Sequence, residues 1–170
     1  MTYRYAMLPT PVGDALAAFS DEGLVALRVR PEPHEALEAV ARELRGALLP
    51  DDGSEAAEEL AGQLEGYFRG ERRRFDLTLD WRLANGFTRE ALAVVCDIPY
   101  GTTASYGEVA ALAGRPRAAR AVGTACRTSP FSLVVPVHRV IHADGTIGGY
   151  GSDIDVKRHL LELEQDARAA

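Results

Sequence analysis

The side chains able to do chemistry are few and scattered. The chain holds two thiols, Cys96 and Cys126, and four histidines. No C-x-x-C pair occurs and the histidines stand far apart, so neither a disulfide framework nor a metal site is expected. Cys126 falls inside a predicted helix with no base beside it. A thiol in that setting fills space, because the attacking species is the thiolate. The arginines are better organised. Arg117, Arg120 and Arg127 lie along a helix predicted over 117–128, and Arg120 and Arg127 share one face. Ala118, Ala121, Val122 and Ala125 keep that helix slim. Small residues let a helix approach a phosphate backbone, and arginines supply charge and hydrogen bonds there. The same pattern also describes a surface helix with a small-residue packing face.

The elements that must position these residues follow from local signals. Ser105-x-x-Glu108 is a capping box opening a short helix through Ala113. Gly114 ends it and Pro116 precedes the next helix, the layout of a helix-turn-helix. Phe87 to Cys96 suits a further helix. The run from Ser132 to Val137 reads as a strand continuing through His142. Ala143-Asp144-Gly145 then turns the chain back along Thr146–Tyr150, a hairpin that would make the unit a winged helix. Asp153–Asp155 can cap a last helix reaching Glu164.

The first half reads differently. Tyr3–Leu8, Leu16–Ser20 and Leu24–Val29 are short apolar runs separated by turn residues. A helix is expected from Ala36 to Leu48, broken by Pro50-Asp51-Asp52-Gly53, and a second one capped by Ser54. Arg72-Arg73-Arg74 precedes an alternating segment, Phe75–Leu79, predicted as a strand. Those arginines fit a solvated strand entry or a nucleic-acid contact. The expected architecture is α+β. It comprises a small N-terminal α/β domain with an antiparallel sheet over 1–80 and a mostly helical winged helix-turn-helix domain over 81–170.

Composition narrows the class. The 170 residues are 46% hydrophobic and 26% charged, as in an ordinary globular protein. There is no apolar stretch long enough for a membrane span and no apolar signal region at the start. A cytoplasmic protein without membrane contact is expected. The net charge of −6 argues against a nucleic-acid partner until it is divided along the chain. Residues 1–80 carry nine Arg against 16 acidic residues, whereas 81–150 carry seven Arg against four. Among all these basic residues Lys157 is the single lysine.

Three stretches carry a resemblance: Ile98-Pro99-Tyr100-Gly101-Thr102-Thr103-Ala104-Ser105-Tyr106-Gly107, Ala118-Ala119-Arg120-Ala121-Val122-Gly123 and Val135-Pro136-Val137-His138-Arg139-Val140-Ile141. With Gly148-Gly149-Tyr150-Gly151, Lys157 and Glu164 they resemble, in order and spacing, the O6-alkylguanine-DNA alkyltransferase family. Thr10-Pro11-Val12-Gly13 and Asp21-Glu22-Gly23-Leu24 are similar to the family's smaller domain. The resemblance implies binding of duplex DNA containing alkylated guanine and rotation of the damaged base into a pocket. It also implies a cysteine acceptor activated by a histidine that is linked through water to a glutamate.

Residue by residue, the resemblance implies DNA contacts from Tyr106, Ala119, Arg120, Arg127 and Arg139. It implies a lesion pocket of Val137, Val140, Tyr150 and Gly151, with Tyr150 against the exocyclic oxygen. Tyr106 would rotate the phosphate and Arg120 would fill the gap left by the base. The acceptor position is Val137, whose isopropyl group has no lone pair, beside His138 and Glu164. Ser129-Pro130 stands where the family has Asn-Pro. His138 and Glu164 then serve packing as readily as chemistry.

From Val137 the expectation is that the chain is not an enzyme but an alkyltransferase-like repair protein. It would act as a monomer without cofactor or metal and flag lesions for nucleotide excision repair proteins. Two alternatives remain: an enzyme accepting the alkyl group on Cys126, and a winged-helix DNA-binding protein with no lesion preference.

Overall fold

The computed structural model describes residues 1–29, 32–149 and 153–170. Tyr150 and Gly151, expected in the lesion pocket, lie outside the described residues. The chain divides into two compact units, Met1–Leu83 with Pro130–Val134, and Ala84–Ser129 with Val135–Ala170.

In the first unit, strands β1 (Thr2–Leu8), β2 (Ala15–Ser20) and β3 (Gly23–Val29) form an antiparallel meander. Gly23 makes the β2–β3 turn at φ 134°, and a Cβ there would stand 2.3 Å from the Thr78 carbonyl oxygen. Only glycine fits such a position. Helix α1 (Pro33–Leu44) buries Val40 and Leu44 against Tyr3, Leu16, Ala18, Val25 and Ala26. It stops earlier than its periodicity suggests. Arg45 takes the left-handed conformation and Ala47–Pro50 becomes strand β4, parallel to β1. Leu48, expected in the helix, is therefore a strand residue, and the sheet order is β3-β2-β1-β4.

Helix α2 (Glu55–Phe68) begins at Ser54, whose hydroxyl accepts from the Ala57 N–H. The strand expected over 75–79 is not formed beyond an isolated bridge between Leu79 and Leu24. A side chain replaces the ladder: Gln63 donates to the Asp76 carbonyl and accepts from the Asp76 N–H, both at 2.8 Å. Alternating residues expose the pattern of a strand, but no backbone neighbour pairs with most of this one.

The second unit contains helices α3 (Gly86–Cys96), α4 (Tyr106–Leu112), α5 (Ala119–Arg127) and α6 (Ile154–Ala169). Leu92, Val95, Val109, Val122 and Leu160 form its fully buried interior. The two-residue strands β5 (Ala104–Ser105) and β6 (Val140–Ile141) pair in parallel. The long strand expected from Ser132 through His142 is replaced by three different structures. Pro130–Val134 belong to the first unit, within which Phe131 bridges Leu27. Leu133 then sits at φ 67°, in a tight turn closed by the Val134 N–H on the Ser132 carbonyl. Val137–Arg139 finally form a 3-10 turn after Pro136, which has no N–H for a ladder. The chain does turn at 142–146, where the His142 N–H donates to the Thr146 carbonyl, but the described residues show no paired wing strands.

Candidate functional site

Local sequence fixes where Tyr106 stands. The capping box is complete: the Ser105 hydroxyl accepts from the Glu108 N–H, and Glu108 accepts from the Ser105 N–H at 2.6 Å. Tyr106 thus becomes the first residue of α4, half-buried beside α5. Its neighbours are close. The ring lies 5.2 Å from the His142 ring, and the Lys157 ammonium is 5.9 Å from its centroid. A Cβ at Gly148 would meet the Tyr106 hydroxyl at 2.2 Å, so the glycine backbone packs directly against the end of that ring. A cavity of about 520 Å³ opens here, lined by Tyr106, Ala119, Arg120, Gly123, Thr124, Arg127, His142 and Gly149.

Helix α5 explains the character of that cavity. Its Val122 and Ala125 are buried, whereas Arg120 and Arg127 are exposed on the opposite side. Among the described residues, Arg117, Arg120 and Arg127 have no carboxylate partner. Their charges are available to an anion.

Behind it lies a buried polar cluster. Glu164 of α6 receives Arg139 Nε at 2.9 Å and Nη2 at 3.0 Å, His138 Nε2 at 2.7 Å, and the Gly101 N–H at 3.1 Å. Arg139 spends its remaining Nη1 on the Ile98 carbonyl at 2.7 Å. Burial pushes the Glu164 carboxyl upward, but the hydrogen bonds from His138 and Arg139 outweigh it and hold the group well below the usual carboxylate range. For His138, burial dominates over the Glu164 hydrogen bond and lowers its pKa, so the imidazole is neutral at physiological pH. A carboxylate with this many donors is a fixed anion and a poor proton shuttle.

The sequence-derived residues separate accordingly. Tyr106, Ala119, Arg120 and Arg127 come together around the cavity. Arg139, expected to touch DNA, does not join them: it is buried and fully engaged with Glu164 and Ile98. His138 meets Glu164 directly, where the resemblance implied an intervening water. Val137 and Ser129 are buried. Val140 is buried too, and its carbonyl accepts from Lys157 Nζ at 2.6 Å. Burial pushes the Cys126 thiol up to about 12, against the opposing pull of the Lys157 charge. Partial desolvation of the otherwise exposed Cys96, with Asp97 adding to it, pushes that thiol up to about 11. Both are thiols at neutral pH.

Sequence reasoning missed the roles of Lys157, His142, Gly148 and the Gly101 N–H. One signal existed, a lone lysine in a chain that otherwise uses arginine. The others depend on contacts between residues far apart in sequence.

The comparisons with known proteins agree over nearly the whole length. Residues 86–166 match the family described as 6-O-methylguanine DNA methyltransferase, DNA binding domain. Residues 3–81 match 6-O-methylguanine DNA methyltransferase, ribonuclease-like domain. A methylated-DNA--protein-cysteine methyltransferase of Mycobacterium bovis is 40% identical, the match covering 98% of this chain and 95% of that protein. One from Methanosarcina barkeri is 35% identical over 95% of this chain and 97% of its own. The crystal structure of Mycobacterium tuberculosis OGT in complex with DNA superposes with a TM-score of 0.80 at 36% identity, covering 98% of this chain and 94% of that one. The chain belongs to the O6-methylguanine-DNA methyltransferase family.

These matches correct the expectation that the chain is not an enzyme. The relatives that span it are named as methyltransferases. Val137 reports on one side chain only. A single isopropyl group says what that atom cannot accept, and it does not set the class of a chain whose remaining length follows the enzymes. Among the described residues no helix is long and apolar enough to cross a membrane, and no cluster of metal-ligating side chains occurs.

Proposed function

We propose that the protein acts in DNA repair by recognising O6-alkylated guanine in duplex DNA, with the damaged base rotated out of the stack. The carrying observation is the cavity beside Tyr106, bordered by the exposed Arg120 and Arg127, which have no carboxylate partner among the described residues. In this reading residues 81–170 form the DNA-facing domain and 1–80 the accompanying one. The Mycobacterium tuberculosis relative is described in complex with DNA, which supports the same partner here.

Extruding a base costs a few kcal/mol of stacking and pairing, least for a damaged base. In this reading Arg120, exposed at the first turn of α5, fills the vacated position and offsets that cost. The neighbouring Arg127 supplies phosphate contacts. Tyr106, fixed at the start of α4, crowds the backbone at the point of rotation.

The test is a competition between duplexes with O6-methylguanine and with guanine at one site, with 2-aminopurine reporting unstacking. The expected result is a preference of at least about tenfold for the modified duplex, equivalent to about 1.4 kcal/mol. Equal affinities and an unchanged 2-aminopurine signal would defeat the reading and select a DNA-binding protein without lesion preference. Intact mass and peptide mapping of the same samples read any alkyl group moved to the protein, and a methyl group on Cys126 would identify that thiol as an acceptor.

A further inference from the structure

Lys157 presents a physical oddity. It is the one lysine of the chain, and its side chain is completely buried on α6. Among the described residues no carboxylate pairs with it. Its ammonium instead donates to the Val140 carbonyl at 2.6 Å and lies 5.9 Å from the centre of the Tyr106 ring. Removing a charge from water without an opposite charge is unfavourable, and a methionine would fill similar space without that penalty. Burial accordingly lowers the Lys157 pKa to about 8, against a small opposing effect of Cys126. What the lysine supplies in return is a connection. One ammonium joins α6 to β6 through Val140 and to α4 through Tyr106, and Tyr106 lines the cavity.

We propose that Lys157 is a positioning residue for lesion recognition: its ammonium holds the Tyr106 ring and the Val140 carbonyl in register, so that Tyr106 faces the cavity in one orientation before nucleic acid arrives. The proposal rests on reading that cavity as the lesion site. Tyr106 is confined on its other sides as well, by the His142 ring and by the backbone of Gly148. A cation over an aromatic face contributes most when both are withdrawn from water, as here. The titratable and charged groups around the ammonium are Tyr106 on α4, Cys126 on α5 and His138 in the 3-10 turn, with His142 against the Tyr106 ring. Burial pushes the Cys126 thiol up to about 12 and lowers the His138 pKa. The contact exists while Lys157 is protonated and weakens as pH rises through about 8.

The experiment follows the Tyr106 ring in the full chain labelled with 13C-tyrosine, assigned with Tyr106→Phe, from about pH 6.5 to 9.5, a window centred on that value. The expected result is an inflection near 8 in the native protein. It should be absent in Lys157→Met, which has no charge, and in Lys157→Arg, whose charge does not titrate. His142→Gln should keep it. In parallel, Lys157→Met should bind the O6-methylguanine duplex roughly tenfold more weakly near neutral pH, and Lys157→Arg should recover most of the loss. No inflection in the native protein, or the same inflection in Lys157→Met, would overturn the proposal. If Lys157→Met does not fold, the native titration and Lys157→Arg still decide it. If the inflection is present but the native protein shows no preference for the modified duplex, the cavity reading fails while the Lys157–Tyr106 contact stands.

Discussion

Two sets of arginines in the second unit are treated in opposite ways. Arg139 is buried and completely used: two of its nitrogens serve Glu164 and a third serves the Ile98 carbonyl. Arg120 and Arg127 are exposed on α5, and among the described residues no carboxylate meets either. The same side chain thus does structural work in one place and remains available in the other. A guanidinium buried without its anion would be prohibitive, so Arg139 and Glu164 must be kept or lost together. An exposed guanidinium loses little by standing alone, because water solvates it. Stability and binding are therefore carried by different arginines, and substitutions should separate the two properties.

The largest effect is expected at the buried set. Glu164→Ala removes the acceptor for His138, Arg139 and the Gly101 N–H in one step. Leaving that much buried charge and polarity unpaired should cost about 3–5 kcal/mol, a large part of the total stability of a small protein. Urea denaturation measures it, and a loss below about 1 kcal/mol would contradict the buried cluster. The same groups set a pH dependence. Burial lowers the pKa of His138, so the unfolded chain binds more protons and stability falls as pH drops below about 6.5. Glu164 is depressed by its hydrogen bonds, so its contribution is present above about 4.3 and is lost as pH falls further toward its folded value. Urea midpoints should decline on acidification in those two stages, and midpoints constant from neutral pH into the acid range would refute this.

An intermediate effect is expected beside Tyr106. Gly148→Ala places a methyl group where the Tyr106 hydroxyl already stands. The hydroxyl sits at the end of a movable ring, so the strain is partly relieved by rotation, and the loss of stability should be about 1–2 kcal/mol. Adding Tyr106→Phe removes the atom in conflict and should restore most of that stability without restoring lesion binding. A double variant no more stable than Gly148→Ala would show that the clash lies elsewhere.

Sequence alone showed much of this molecule. The capping box at Ser105 and Glu108 and the Arg120–Arg127 spacing of α5 are local patterns and both appear as read, although α5 starts only at Ala119 and leaves Arg117, expected in the helix, in the turn before it. What escaped was decided by distant partners. The segment 75–79 alternates like a strand, yet Gln63 takes over the pairing of Asp76. The apolar run from Ser132 has the composition of a strand, but the left-handed Leu133 and the missing N–H of Pro136 divide it. Arg139 resembles the arginines of α5 in sequence because sequence shows charge and not burial. Its partner Glu164 is on another element, 25 residues away. Val137 misleads in the other sense, since one conspicuous side chain does not outweigh a chain whose remaining length follows the methyltransferases.

The smallest effects are expected among the exposed arginines, and they are the most discriminating. Neither Arg120→Ala nor Arg127→Ala should change stability by more than about 0.5 kcal/mol, because neither side chain is buried. Their effects on binding should differ in kind. If Arg127 contacts phosphate, its loss weakens modified and unmodified duplexes equally and reduces the salt slope of binding by about one. If Arg120 fills the space of a rotated base, its loss weakens the modified duplex by roughly tenfold more than the plain one, since only the modified duplex is held open. Anisotropy titrations at several salt concentrations resolve both quantities. Identical changes from the two substitutions would mean that α5 reads charge alone, and the distinction between a filling arginine and a phosphate arginine would fall with it.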